Sequence, residues 1–183
     1  MRYVAVAAAM MTISLALAQD QLATFSQSWE DWRPPVVEMP EPNAYEQYQT
    51  AFGLLEGFEA PEQDATDEDL RASIQGFEPA YQALQQAQEG ECRFPPLMEP
   101  DQAFPELAGA RNAARFLVTL ARVNALGGRT AQAAMDCIAC VRIGSAAASN
   151  GTLIGGLVAV ACEGLGLREL EEIIPGLQTN ECE

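Results

Sequence analysis

The feature that most constrains this fold is a pair of apolar stripes at helical spacing in the second half of the chain. Between residues 106 and 126, small or apolar side chains share one face at about 100° per residue. They are Leu107, Ala110, Ala114, Leu117, Val118, Ala121 and Ala125. Phe116, Leu120 and Val123 lie on the opposite face. A helix that is apolar on two sides packs between neighbours, so this segment predicts a set of more than two helices.

Two further helices are predicted after this segment. After Gly127 and Gly128, one helix covers residues 129–149, and another begins near Asn150 and continues toward Pro175. Runs of alternating β-branched residues are few, whereas alanine and leucine dominate.

The first half carries two more helix starts. Asn43 is the predicted N-cap of a helix that ends near Gly57, and Thr66 is the predicted cap of the next. Pro79 is expected to interrupt or kink that second helix. We therefore predict an all-α fold of antiparallel helical hairpins, about five or six helices in a repeat-like array with an irregular N-terminal leader.

The N-terminal residues are typical of an export signal. Arg2 precedes an uncharged, mostly apolar run over residues 3–17, and Ala16-Leu17-Ala18 ends it with small residues. We expect residues 1–18 to be a signal peptide cleaved after Ala18, so that the mature chain is periplasmic or secreted. Residues 19–42, with Trp29, Trp32 and four prolines, are predicted to form an extended leader, and residues 43–183 are predicted to form a single α-helical domain. The tryptophans either tether the leader to the core or form a ligand platform.

A second uncharged run covers residues 143–162 and is long enough to cross a bilayer. Its middle, residues 149–152, reads Ser-Asn-Gly-Thr, which is a helix break followed by a cap. Two shorter buried helices therefore explain the run better than a membrane span in the mature chain. The glycines nearby, Gly155, Gly156, Gly164 and Gly166, are interpreted as points of close helix packing.

Composition excludes several classes of function. The chain has 26 acidic residues, 10 arginines and no lysine, which gives a net charge of −16, and it has no histidine. Without histidine there is no Ser-His-Asp triad and no His-ligated metal. With this net charge and no basic tail, nucleic acid is not an expected partner. We see no catalytic constellation and predict no enzyme activity, metal or cofactor.

The cysteines offer one candidate for redox chemistry. Cys137 and Cys140 have CxxC spacing, but they fall inside a predicted helix rather than at its N-terminus, where the helix dipole would lower a thiol pKa. Core packing is the favoured interpretation, with a disulfide from one of these cysteines to another part of the chain, or a redox or metal site, as alternatives.

A basic stripe is the candidate ligand site. Arg111, Arg115 and Arg122 lie at i, i+4 and i+11 and therefore point in similar directions. Guanidinium groups bind carboxylate, sulfate or phosphate. The favoured alternative is ion pairing with acids of the N-terminal half, such as those at residues 67–69.

The segment Leu117–Val141 resembles a tetratricopeptide-type helical hairpin. Leu120 with Ala121, the turn glycine Gly128, and the small residues Ala133 and Cys140 match the small and large positions of that repeat. The resemblance implies a helix–turn–helix unit stacked in an array.

Over most of the mature chain, the sequence resembles uncharacterised exported α-helical proteins of bacteria such as planctomycetes and armatimonads. The segments that carry this resemblance are residues 43–48, 91–95, the hairpin with Gly128, and 152–158. The family implies no catalytic residue. Since its members tend to be longer, the resemblance also implies that this chain is a fragment ending shortly after Pro175.

Three functional hypotheses follow from the sequence. The first is a non-catalytic exported interaction or scaffold module that binds a protein or peptide. The second is a binder of a small anionic or apolar ligand near Arg111, Arg115 and Arg122. The third is a thiol redox protein that uses Cys137 and Cys140.

Overall fold

Every regular element in the described part of the chain is helical. The computed structural model describes residues 38–62, 64–95, 105–149 and 151–177, all within one compact unit. The helices are α1 (Tyr45–Leu54), α2 (Asp67–Ser73), α3 (Glu78–Gln88), α4 (Pro105–Leu126), α5 (Thr130–Ala148) and α6 (Leu153–Ile173), followed by a 3₁₀ turn at Ile174–Gly176. The predicted all-α class is confirmed. The predicted signal peptide, residues 19–37 of the leader and Cys182 lie outside the described residues.

Local capping signals explain two helix starts. At the start of α2 the Thr66 hydroxyl accepts a hydrogen bond from the Asp69 backbone N–H, and the Asp69 carboxylate accepts one from the Thr66 N–H. Thr152 caps α6 by accepting from the Gly155 N–H at 2.9 Å. Of the two effects expected at Pro79, an interruption is observed and a kink is not, because α2 ends at Ser73 and α3 begins at Glu78. Pro79 lies in the first turn of the separate helix α3, where a missing N–H costs nothing.

The predicted N-cap is wrong by one residue: α1 begins at Tyr45, so Ala44 rather than Asn43 is in the cap position. The Asn43 side chain instead bridges two chain segments. It donates to the Arg93 carbonyl at 2.9 Å and accepts from the Arg93 N–H at 3.1 Å. The start of α1 is thereby tied to the segment that follows α3.

Short loops join α4, α5 and α6 into antiparallel hairpins. Cys140 on α5 lies against the Ala114 carbonyl of α4, while Asp136 contacts Asn124 nearer the loop, so the two chain directions oppose each other. The α5–α6 pair is also antiparallel, and α6 runs beside α4 in the same direction. A hairpin over residues 105–148 is what the tetratricopeptide resemblance implies, and its membership of a repeat array stays a prediction.

The core lies between these three helices and α1 and α3, which pack against each other. On one side of α4, Phe116 packs edge-to-face against Phe58 with ring centroids 5.3 Å apart, and Phe77 completes the cluster. On its other side, Ala110 and Ala114 face the thiols of α6 and α5. The prediction that α4 is sandwiched by neighbours is therefore confirmed.

Two glycines set the spacing between α5 and α6. A Cβ atom at Gly166 would lie 2.7 Å from the Cys137 carbonyl oxygen, and one at Gly144 would lie 2.9 Å from that of Ala159. Gly166 thus permits close packing, as predicted. The same interpretation is wrong for Gly156 and Gly164, whose added Cβ atoms would meet nothing within 4 Å.

Candidate functional site

The most unusual surface of the described residues is the outward-facing side of α6. Leu153, Leu157, Val160, Gly164 and Leu167 lie along it and are here named the α6 outer face. Leu153 is 80 %, Val160 68 %, Leu157 62 % and Leu167 53 % exposed. Large apolar side chains with this exposure, in one continuous row, are typical of an interaction surface rather than of an ordinary helix exterior.

The inner side of the same helix explains why the outer face is open. Val158, Ala159, Cys162 and Gly166 are buried against α5 and α4. Within the described ranges, no other helix packs extensively against α6. The prediction of two shorter helices is confirmed by the break between Ala148 and Leu153. The prediction that both are buried is wrong for α6, because among the described helices only α5 and α4 pack against it, and they cover one side.

The sequence did contain a signal for this face. Its members are separated by four, three, four and three residues, which is the heptad spacing of a helix that packs against another helix. The opposite side of α6 is also apolar. Apolar spacing alone does not reveal how many neighbours a helix has, so the sequence does not distinguish this exposed face from a core-facing one. None of the helices in the described residues is long and apolar enough to traverse a lipid bilayer.

The three arginines of the predicted stripe do not line one common cleft. Arg111 and Arg115 are exposed and line a cleft of about 550 Å³ between α1 and the first half of α4. Neither has a carboxylate within 4 Å among the described residues. Asn112 lies between them and donates to the Leu55 carbonyl at 3.0 Å, which anchors this part of α4 to α1. The cleft also contains Glu106.

Arg122 forms an ion pair with an acid of α6. Its Nε donates to Glu169 of α6 at 2.7 Å, and the Glu169 side chain is almost completely buried. Ion pairing was the favoured interpretation, but the partner differs from the expected one. The acid comes from the C-terminal helix rather than from residues 67–69. Arg115, Arg122 and Arg168 share a smaller cleft of about 260 Å³.

Cys137 and Cys140 are fully buried in the interface of α5 with its neighbours. The Cys140 thiol donates to the Cys162 carbonyl at 3.1 Å. Burial raises the pKa of Cys137 to about 12, with the charges of Glu169 and Asp136 contributing, and burial also raises the pKa of Cys140. A buried thiol with a raised pKa is a weak nucleophile, so the geometry favours core packing for this CxxC. Both thiols are free, as are Cys92 and Cys162.

A buried carboxylate was not singled out by the sequence analysis. Asp136 on α5 is 2 % exposed and accepts three hydrogen bonds. The donors are Asn124 at 2.6 Å, the Tyr81 hydroxyl at 3.1 Å and Gln132 at 3.2 Å. Arg129 in turn donates twice to the Asn124 side chain. Burial raises the pKa of Asp136, and the hydrogen bonds oppose this effect.

This network ties α3, α4 and α5 together beside a cleft of about 240 Å³ that includes Tyr81, Gln132, Asp136 and Arg142. Because Asp136 uses both carboxylate oxygens within the protein, its clearest role is structural. The surrounding sequence does not indicate this buried network, because an isolated Asp in an apolar segment matches no motif.

Within the described residues, no group of three or more Cys, Asp or Glu side chains is placed to hold a metal ion. No protein-family model, curated protein sequence or solved structure matches the chain at a significant level.

Proposed function

We propose that this chain is a non-catalytic, exported interaction module that docks onto another protein through the α6 outer face. The observation that carries the proposal is the row of large apolar side chains from Leu153 to Leu167, more than half of each of which is open to solvent. Burying such side chains between proteins is favourable because it removes apolar surface from water. A continuous row of exposed apolar side chains on an otherwise acidic chain is typical of a surface that contacts a partner.

The buried groups support the non-catalytic part of the proposal. The thiols with CxxC spacing lie in the core with raised pKa values, and the buried Asp136 carboxylate accepts three hydrogen bonds from within the protein. A repeat-like array of hairpins would present helix faces of this kind to partners. Export rests on the sequence of residues 1–18, and mass spectrometry of the exported product tests it through cleavage after Ala18.

Site-specific photo-crosslinking tests the docking surface. A photoreactive amino acid is placed at Leu157 in the full chain, which is then irradiated in an envelope extract of the source organism. The matched control carries the same group at Met135 on α5, which is 52 % exposed but away from α6. We expect protein adducts from position 157 and not from position 135. No adduct from position 157, or equal adducts from both, would contradict the proposal.

A second candidate function is supported by Arg111 and Arg115. Two guanidinium groups one helical turn apart, without ion pairs among the described residues, line a cleft large enough for a small polycarboxylate. Titration with citrate and with inorganic phosphate, followed by calorimetry, tests this candidate. Binding should be lost in Arg111→Gln/Arg115→Gln and kept in Arg71→Gln, which changes an exposed arginine of α2. Equal heats for all three proteins would remove this candidate.

A further inference from the structure

A cleft of about 520 Å³ lies between the first turn of α1, the segment after α3 and the second half of α5. It is here named the Arg142 cleft. Arg93 and Arg142 line it, and its described lining residues include no Asp or Glu. The other clefts described above each contain an acid, namely Glu106, Asp136 or Glu169. On a chain of net charge −16, a cleft lined only by basic and neutral groups favours an anion.

Arg142 carries the unpaired charge of this cleft. Its side chain is exposed and has no carboxylate within 4 Å among the described residues. Arg93 is partly buried and lies 3.4 Å from Glu91, which does not line the cleft. One uncompensated positive charge matches a singly charged anion better than a doubly charged one. Because a guanidinium group can bind a carboxylate through two parallel hydrogen bonds, these charges favour a carboxylate.

A buried hydrogen-bond donor without a partner lies in the same cleft. Tyr48 is 2 % exposed, and its hydroxyl makes no hydrogen bond with any other described residue. The hydroxyls of Tyr45 and Tyr81 do have such partners. Burial raises the pKa of Tyr48 and Cys92 adds to this effect, whereas the charge of Arg142 opposes it. The hydroxyl is therefore protonated at neutral pH, and a carboxylate oxygen in the cleft would accept its hydrogen bond.

Hydrogen bonds within the protein hold the walls of the cleft in place. The Asn43 side chain binds both backbone polar groups of Arg93, which ties the segment after α3 to the start of α1. In the same segment, the Phe94 N–H donates to the hydroxyl of Ser149 at the end of α5, at 2.8 Å. The three parts of the chain that form the cleft are thus joined without a ligand, so binding requires little ordering of the backbone.

We propose that the Arg142 cleft binds a monocarboxylate, which accepts hydrogen bonds from the Tyr48 hydroxyl and the Arg142 guanidinium. Arg93 adds positive charge, and the buried Ala146 provides an apolar surface for a short tail. The carboxylate belongs either to a free short-chain acid or to the C-terminal end of a polypeptide, since both present the same group. The inference does not depend on docking through the α6 outer face, because none of these residues belongs to it.

NMR titration of the isotope-labelled full chain with butyrate tests the site. We expect a Kd of about 1 mM for so small a ligand, with shifts at the backbone amides of Gly90 and Cys92. N-acetylalanine represents a chain end, and the acid that binds more tightly identifies the source of the carboxylate. Butyramide, which lacks the charge, should not bind. Absence of binding by both acids, or tighter binding of inorganic phosphate than of either, would overturn the proposal.

Substitutions separate a role in binding from a role in folding. Tyr48→Phe should weaken binding by about tenfold or more, the effect of losing a hydrogen bond to a charged group. The free variant should be as stable as wild type in urea, because the lost hydroxyl has no partner among the described residues. Tyr45→Phe, also on α1, is the matched control and should bind like wild type. A Tyr48→Phe variant with full affinity, or one that is less stable without ligand, would contradict the proposal.

The arginines distinguish this site from the cleft of the second candidate function. Arg142→Gln should abolish binding of the monocarboxylate, whereas Arg111→Gln should leave the Kd unchanged. Full affinity in Arg142→Gln would overturn the proposal, as would loss of binding in Arg111→Gln. Neither result bears on the photo-crosslinking at Leu157, so the two proposals stand or fall separately.

Discussion

Arg122 on α4 and Glu169 on α6 form an ion pair in which Nε lies 2.7 Å from Oε2. The two atoms belong to helices that run side by side in the same direction. Glu169 is almost entirely buried, whereas about a third of the Arg122 side chain is exposed. Loss of the arginine therefore leaves a buried charge unpaired, whereas loss of the glutamate leaves a charge that still reaches water.

We expect Arg122→Met to lower the free energy of unfolding by about 2–3 kcal/mol, because it leaves a buried carboxylate without its partner. Glu169→Gln should cost only about 1 kcal/mol, since the amide still accepts a hydrogen bond and the arginine reaches water. Urea unfolding measures both. Arg71→Met, at an exposed arginine, is the control. An Arg122→Met variant as stable as this control would contradict the assignment.

The contact between α5 and α6 at Gly166 gives a second prediction. Gly166→Ala should destabilise the protein by about 1–3 kcal/mol, because the new Cβ would lie 2.7 Å from the Cys137 carbonyl oxygen and the backbone must move. Gly53→Ala in α1 is the matched control, since a Cβ there meets nothing within 4 Å. It should gain about 0.5–1 kcal/mol from the better helix propensity of alanine. Thermal unfolding of the two variants compares them, and equal changes would refute the close approach.

Asp136 gives a pH-dependent prediction. Its pKa is raised in the folded state, so its contribution to stability is fully present below the unfolded-state pKa and is lost as the pH rises through the folded-state pKa. The unfolding free energy of wild type minus that of Asp136→Asn should therefore increase when the pH is lowered from 7 toward 4. Taking the difference cancels the titration of the other acids. A difference that is constant with pH, or that decreases on acidification, would be inconsistent with a raised pKa.

The thiols give a fourth prediction. In native Cys182→Ser protein at pH 8, a small alkylating reagent should leave Cys137, Cys140 and Cys162 unmodified, because they are buried and their pKa values are raised. All three should react after denaturation. Mass spectrometry of peptides locates the adducts. Rapid native modification of Cys137 or Cys140 would restore the redox hypothesis.

The sequence predicted where the helices lie better than it predicted the tertiary contacts of their side chains. Thr66 and Thr152 mark helix starts through side-chain caps that involve only the next three residues, so the signal is local and readable. Asn43 shows the limit of this approach, since its side chain is used by Arg93, fifty positions away. The arginine stripe shows the same limit. The periodicity of α4 places Arg122 on one face of that helix but does not identify α6 as the helix that supplies its partner.

What the sequence determined by itself is the helical class, the break between α5 and α6, and the apolar periodicity of each helix. These depend on neighbours within one or two turns, where propensity and capping act. Only the tertiary structure decided which apolar stripe became core and which became surface. Val158 and Val160 are chemically identical and two residues apart, yet one is buried and the other is exposed. The difference arises because burial depends on which helices pack against each side of α6, and that is a property of the whole chain.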